Sequence, residues 1–211
     1  MNDDDEILSI KILVVGESGV GKTSFIRRYV KGCFTDNYKA TIGVDFSQKQ
    51  LNWKGKQLHL QFWDLIGQER LNTQIQGYFR GAMGAICIYD ISDEKTKRKI
   101  LDWRDLLNER CIGNNGEESH PPIILVGNKS DLFEVSLEDG EMKTHDYIND
   151  FAIKLGFIGG IAASAKNNIA VNEVIIMLLN AILEHNEKPE SVPYQSIELK
   201  IPETKENKCC Y

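Results

Sequence analysis

The sequence predicts an α/β fold in three layers, a six-stranded, mostly parallel sheet with helices on both faces. Three observations carry this expectation. Short β-branched apolar runs alternate with stretches of helical apolar spacing along most of the chain. The first such run, Ile7 to Val15, opens directly onto the glycine loop GESGVG and then a helix pattern. The 211 residues with 42% hydrophobic content are enough for one domain with a substantial core.

Each element follows from its own local signal. Ile7 to Val15 reads as a buried strand, and Lys22 to Lys31 places apolar residues at helical spacing. Val44 to Asn52 and Gln57 to Asp64 alternate around WKGK, the pattern of a hairpin with Gly55 in its turn. Ala85 to Tyr89 and Ile123 to Val126 are apolar runs of strand length, separated by a helical segment over about Lys95 to Glu109. The stretch NERCIGNNGEESHPP is polar and closed by two prolines, so it reads as a loop. A helix over about His145 to Leu155 precedes a last strand at Ile158 to Ala162. The final helix, Val171 to His185, puts Val174, Ile175, Leu178, Leu179 and Ile182 on one face. Right-handed crossovers between these strands give a doubly wound sheet.

The organisation expected is an acidic N-terminal extension at 1–6, a folded domain at 7–186, and a disordered tail at 187–211 in which proline, glutamate and lysine mix without apolar periodicity. Of the formal net charge of −6, Asp3, Asp4, Asp5 and Glu6 supply four negatives, so the body is mildly acidic and binding to nucleic acid through counterion release is not expected. Cys33, Cys87 and Cys111 stand alone, without disulfide or metal-ligand spacing, which points to a reducing compartment. No apolar signal segment or spanning run is present, and Asn2 in place of glycine argues against N-myristoylation.

Gly16-Glu17-Ser18-Gly19-Val20-Gly21-Lys22-Thr23 fits G-x-x-x-x-G-K-[ST] between a strand and a helix. The glycines allow consecutive N–H groups to face phosphate, Lys22 neutralises the β- and γ-phosphates, and the Thr23 hydroxyl ligates Mg²⁺. This predicts a nucleoside triphosphate and leaves the base open. Asn128-Lys129-Ser130-Asp131 ends the Ile123 run. A carboxylate there accepts two hydrogen bonds from the N1–H and 2-amino group of guanine, a donor pair adenine lacks. Ser164-Ala165-Lys166 offers a backbone amide for the guanine carbonyl. Taken singly, NKSD also reads as an Asx-turn at a strand end; behind a phosphate loop the set predicts GTP and GDP.

With these motifs stand TIGVDF at Thr41 to Phe46, WDLIGQER at Trp63 to Arg70, YFRGAMGAICIYD at Tyr78 to Asp90, GNKSDL, SAK, and the ending KCCY. The chain resembles a small GTPase of the Ras superfamily, specifically the Rab family, over about Ile7 to His185 and at the C-terminus. The segments AICIYDIS and GFIGGIAASAKNNIAVNEVI are similar to the Rab subgroup of lysosome-related organelles. The resemblance implies a P-loop NTPase (G-domain) fold and a GTP/GDP switch in vesicle trafficking on the cytoplasmic face of endomembranes, cycling with cytosol. It implies slow hydrolysis until an activating protein acts, and exchange factors, a GDP-dissociation inhibitor and effectors as partners.

Residue by residue, the resemblance implies that Ser18, Gly19, Val20, Gly21, Lys22, Thr23 and Ser24 hold the phosphates. Phe34, Tyr38, Asn128, Lys129, Asp131, Ser164, Ala165 and Lys166 surround the nucleoside, with Phe34 at the ring edge and Lys129 over its face. Thr41 would ligate Mg²⁺ and contact the γ-phosphate, Asp64 would hold a Mg²⁺-bound water, the Gly67 amide would bind the γ-phosphate, and Gln68 would orient the attacking water. Ile42, Phe46, Trp63 and Tyr78 would form the surface effectors read, although an aromatic in a strand is also ordinary core. Cys209 and Cys210 would carry geranylgeranyl groups, because Lys208 sits where a CaaX box needs cysteine. Two lipids are needed, since the tail from Glu187 holds five glutamates against four lysines and supplies no basic patch.

The sequence departs from the family at Leu65-Ile66, where Thr-Ala is usual. Leu65 exchanges a hydroxyl for bulk that can pack. Ile66 adds methyl groups beside Mg²⁺ and the γ-phosphate, so the alternative expectation is a guanine-nucleotide-binding module with impaired hydrolysis.

Overall fold

The computed structural model describes residues 7–36, 43–65, 76–132 and 145–187. Its order is β1 (Leu8–Val15), α1 (Lys22–Lys31), β2 (Asp45–Trp53), β3 (Lys56–Asp64), α2 (Gln76–Phe79), β4 (Gly84–Asp90), α3 (Glu94–Arg98), α4 (Ile100–Arg110), β5 (Ile123–Asn128), α5 (His145–Lys154), β6 (Gly160–Ala162) and α6 (Val171–Glu187). The six strands form one sheet in the order β2-β3-β1-β4-β5-β6. Only β2 and β3 run antiparallel; the other pairs are parallel. The expected three-layer α/β architecture is therefore the observed one.

Strand alternation divides the core between the two faces of the sheet. In β4, Ile86 and Ile88 belong to one core while Ala85, Cys87 and Tyr89 belong to the other. The first core is closed by Phe25 and Ile26 of α1 and by Val174, Ile175, Leu178, Leu179 and Ile182 of α6. The second is closed by Phe79, by Ile100, Trp103 and Leu107 of α4, and by Ile148 and Ala152 of α5. Burial on both sides explains why β4 and β5 are continuous apolar runs. Each fully buried Ile or Leu of this kind contributes about 1.5–3 kcal/mol of transfer free energy.

Several boundaries differ from the sequence reading, and α6 runs past the expected end at His185 to Glu187, the first residue of the expected tail. The helical segment expected over Lys95 to Glu109 is two helices, parted at Lys99, whose N–H bonds to Thr96 O at 3.2 Å in an i→i−3 turn. Side-chain bonds set that break: the Asp93 carboxylate caps Lys95 N–H at 2.9 Å, and Thr96 Oγ1 accepts from Asp90 N–H at 3.0 Å. Helix α4 also runs to Arg110, so the first three residues of NERCIGNNGEESHPP are helical. The strand expected at Ile158 to Ala162 is shortened to Gly160–Ala162, and α2 was not anticipated. The hairpin turn is Lys54-Gly55, with φ of 49° and 86°, the pair of left-handed residues that suits a two-residue turn.

The parallel strands bring their carboxyl ends to one edge of the sheet. Gly16 follows β1, Asp64 ends β3, Asp90 ends β4, Asn128 ends β5, and Ser164 lies just beyond β6. The chain leaves β1 toward β3 and later crosses to β4 on the other side, so the loop after β1 sits where the winding reverses. Open α/β sheets bind ligands at such a crevice. Among the described residues no helix is long and apolar enough to cross a membrane, and none of Cys33, Cys87 and Cys111 is in a disulfide.

Candidate functional site

The loop between β1 and α1 is built on glycine for steric reasons. Gly16 has φ of +141°, and a Cβ there would lie 2.0 Å from Ile88 O. Gly21 has φ of +96°, and its Cβ would lie 2.4 Å from Asn128 Nδ2. Both positions combine a left-handed backbone with a close approach, so only glycine fits. Gly21 also caps α1 without a side-chain hydrogen bond, and no acidic residue occupies the helix's first turn. The positive end of the helix dipole is thus left for an anion.

Lys22 is buried, 8% exposed, and its ammonium donates to Gly16 O at 2.8 Å and Glu17 O at 2.9 Å. Burial pulls its pKa below the ordinary lysine value, against the opposing charges of Asp64 and Glu17. The Thr23 hydroxyl donates to Asp64 Oδ2. Asp64 is 2% exposed, and burial pushes its carboxyl up, while the Thr23 bond and the Lys22 charge pull it back. Its other oxygen, Oδ1, is buried with no hydrogen-bond partner among the described residues. A hydroxyl oxygen beside a carboxylate with one uncommitted oxygen is the hard donor set that Mg²⁺ takes together with phosphate oxygens, so these residues fit the ion. Glu17 Oε1 is held from the far side by Trp103 Nε1 at 3.0 Å.

Asn128 joins this loop to the opposite end of the crevice. Its amide Nδ2 donates to Val20 O at 2.8 Å, and its Oδ1 accepts from Ala165 N–H at 3.1 Å. Lys129 adopts a left-handed φ of +66° and its ammonium meets Asp90 Oδ2 at 2.7 Å. Burial would raise the Asp90 carboxyl, but the bonds from Lys129 and Ser92 outweigh it and hold the pKa below the usual carboxylate value. Asp131 lies on a 3₁₀ turn, Ser130–Leu132, and accepts from Ser164 Oγ at 2.5 Å. Ser164 Oγ in turn accepts from Asn167 N–H at 3.0 Å. Phe34 is half-buried two residues past Gly32, the C-cap of α1.

The structure thus brings Lys22, Thr23 and Asp64 together, and Asn128, Asp131, Ser164 and Ala165 together, with Asn128 touching both groups through Val20. Thr41, Tyr38, Gly67, Gln68, Ile42, Ile66, Cys209 and Cys210 lie outside the described residues. Leu65 packs as expected: it is 3% exposed in the second core, and its N–H bonds Val14 O at 3.1 Å.

A second feature lies on β2 and β3. Phe46 and Trp63 are cross-strand partners with rings 5.3 Å apart, edge to face, and Tyr78 lies 5.7 Å from Trp63. Phe46 is 45% exposed, so this aromatic group reaches the surface. Sequence reasoning missed Lys11, whose ammonium sits 4.5 Å over the Trp63 ring and donates to Arg80 O at 2.7 Å. It also missed Asp90, the Glu17–Trp103 bond, and Arg28. The only signal for Lys11 was a lone charge in an apolar strand.

A buried lysine under a glycine loop, a hydroxyl–carboxylate pair for Mg²⁺, and an asparagine–aspartate pair at the far end of the crevice define a nucleotide-binding α/β domain. Residues 11–184 match the model of the Ras family. The chain is 38% identical to Ras-related protein Rab-32B of Dictyostelium discoideum over 206 residues, 95% of this chain and 76% of that protein. It is 39% identical to human Ras-related protein Rab-32 over 178 residues, 84% of this chain and 76% of that one. Ras-related protein SEC4 of Saccharomyces cerevisiae is 41% identical over 175 residues, 83% of this chain and 75% of its own length. The chain belongs to the Ras family and is a Rab-type small GTPase. It binds GTP and GDP with Mg²⁺ and hydrolyses GTP.

Proposed function

We propose that this protein is a switch of membrane trafficking, binding effectors in its GTP state and releasing them after hydrolysis. One observation carries the reading. Asp64, whose free oxygen fits a Mg²⁺ environment, is the immediate neighbour on β3 of Trp63, the centre of the exposed aromatic group. A strand shared by metal site and surface transmits a change at one to the other.

The proposed roles follow chemistry. The amides of Ser18 to Gly21 and the α1 terminus cradle phosphate, Lys22 balances its charge, and Ser24 lies in the same first turn of α1. Thr23 and Thr41 would ligate Mg²⁺ and Asp64 would hold it through a bound water; the ion would supply neutralisation of phosphate charge. Thr41 and the Gly67 amide contact the γ-phosphate, and Gln68 orients the attacking water. Asp131 accepts from guanine, Asn128 braces its pocket, Lys129 and Phe34 flank the ring, and Tyr38 and Lys166 complete the enclosure. The Ala165 N–H, which donates to Asn128 Oδ1, is the backbone amide proposed to meet the guanine carbonyl. Ile42, Phe46, Trp63 and Tyr78 form the effector surface.

The domain at 7–186 does this work, with 1–6 an acidic extension and a tail from 187, whose first residue Glu187 still belongs to α6, bearing geranylgeranyl groups at Cys209 and Cys210. This places the protein on the cytoplasmic face of endomembranes, cycling with cytosol, served by an activating protein, an exchange factor, a GDP-dissociation inhibitor and effectors. The impaired-hydrolysis reading survives only at Ile66, because Leu65 is absorbed by the core.

Purified full-length protein should contain GDP or GTP, and single-turnover hydrolysis should accelerate with an activating protein. Bound ATP, or no nucleotide, overturns the reading. If Ile66→Ala hydrolyses faster than the parent, Ile66 brakes the reaction; an equal rate removes that idea.

A further inference from the structure

Among the described residues, Arg28 makes three hydrogen bonds, all to backbone carbonyls. Its Nε donates to Ala165 O, its Nη2 to Lys166 O and its Nη1 to Gly32 O, each at 2.8 Å. One side chain of α1 therefore spans 137 residues of sequence to grip two consecutive carbonyls of the loop after β6. A guanidinium is suited to this because it is a rigid planar fork with five donors and one delocalised charge.

The grip reaches further than the two carbonyls. A peptide unit is planar and trans, so fixing the Lys166 carbonyl fixes the N–H of Asn167 on the opposite side. That N–H donates to Ser164 Oγ at 3.0 Å, and the Ser164 hydroxyl donates to Asp131 Oδ1 at 2.5 Å. The result is a head-to-tail chain of hydrogen bonds running from a guanidinium cation, through one peptide and one hydroxyl, to a carboxylate. Every donor in it points the same way, so each bond polarises the next. Ser164 is fully buried, which lowers the screening along the middle of the chain. At its other end the loop is fastened separately, by Ala165 N–H to Asn128.

We infer that Arg28 is a positioning residue for base selection, orienting the Asp131 carboxylate through the Lys166–Asn167 peptide and Ser164. The inference rests on the proposed reading of Asp131 as the acceptor for guanine. Through α1 the same side chain ties the base loop to the helix that begins with Lys22 and Thr23, and through Gly32 to the segment leading to Phe34. A lysine at this position keeps the charge, but a single ammonium on a flexible stem does not reproduce the paired Nε and Nη2 contacts.

The test uses the full chain loaded with fluorescent GDP or fluorescent IDP, whose hypoxanthine lacks the 2-amino group and so makes one bond fewer to Asp131. The parent should hold GDP more tightly than both IDP and ADP. Arg28→Met and Arg28→Lys should each release GDP about fivefold faster while changing IDP less, so that the GDP-to-IDP preference contracts. Ser164→Ala breaks the chain further along and should contract the preference similarly, with little added in the Arg28→Met/Ser164→Ala double variant. If Arg28→Met does not fold, Arg28→Lys and Ser164→Ala carry the same comparison. Equal weakening of GDP and IDP by the Arg28 variants, or fully multiplicative losses in the double variant, would overturn the inference. A parent that does not prefer GDP to ADP instead refutes the guanine reading itself, a separate result.

Discussion

The two ends of the crevice are stabilised in opposite ways. At the phosphate end, burial drives both ionisable groups toward neutrality: the Lys22 pKa is lowered and that of Asp64 raised. One oxygen of Asp64 has no hydrogen-bond partner among the described residues. At the base end the polar side chains are satisfied within the protein: Asn128 by Val20 and Ala165, Asp131 by Ser164, and Asp90 by Lys129 and Ser92. A site whose acceptors are already braced is preorganised and selects its ligand by shape and donor pattern. A site whose buried charges lack full compensation is completed by what binds it, and so responds to the presence or absence of a phosphate. On the proposed assignment of residues, base recognition is built into the fold, while the phosphate end depends on its ligand.

The largest test of this contrast is Lys22→Met, which keeps the volume of the side chain but removes the buried cation. Both Gly16 and Glu17 carbonyls lose a donor. Nucleotide affinity should fall at least about 100-fold, as expected when one member of a desolvated charge pair is removed, measured by titration with fluorescent GDP. Thermal stability without nucleotide should change little or rise, because a desolvated ammonium is replaced by an apolar chain. A large fall in that stability would mean Lys22 is a structural ion rather than a ligand-binding one. Next in size is Gly21→Ala. Its Cβ would collide with the Asn128 amide at a left-handed backbone position, severing the link between the two ends. It should cost about 1–3 kcal/mol in denaturant stability and weaken GDP binding as well. If binding fell with stability intact, the link would serve the ligand alone.

How much of this was legible in the sequence depended on the range of the interaction. Helix α1 came out with its bounds, Lys22–Lys31, because glycines punctuate its start and end and its apolar spacing is regular. The split at Lys99 did not, because it is set by side-chain bonds of Asp93 and Thr96 that compete with the helix ladder and leave apolar spacing unchanged. Lys22, Thr23, Asp64, Asn128, Asp131 and Ser164 were visible because each belongs to a short motif with its own chemistry. The pairs that brace them were not. Trp103 reaches Glu17 across 86 residues and Arg28 reaches Ala165 across 137, and no local pattern marks either member. Leu65 shows the intermediate case: its apolar character suggested packing, but its place in the second core follows from continuing the β1–β3 pairing to Val14.

The smallest expected effect belongs to the braced end. Asp90 has a depressed folded-state pKa, so its bonds to Lys129 and Ser92 stabilise the protein above the unfolded carboxylate value near 3.9 and lose that contribution as pH falls through the lower folded value. In Asp90→Asn the loss is present at every pH. The gap in Tm between parent and variant, both saturated with GDP, should therefore be widest near neutrality and close as the pH drops below about 4. Because the Lys129 ammonium is partly exposed, that gap should be about 2 °C or less. If Lys129 covers the guanine face, the variant frees an ammonium that Asp90 otherwise holds in place, and GDP release should quicken by a factor of about two. A gap in Tm without any change in release would leave the Asp90–Lys129 pair as a brace of the loop after β5, and would separate stability from recognition even within the base end.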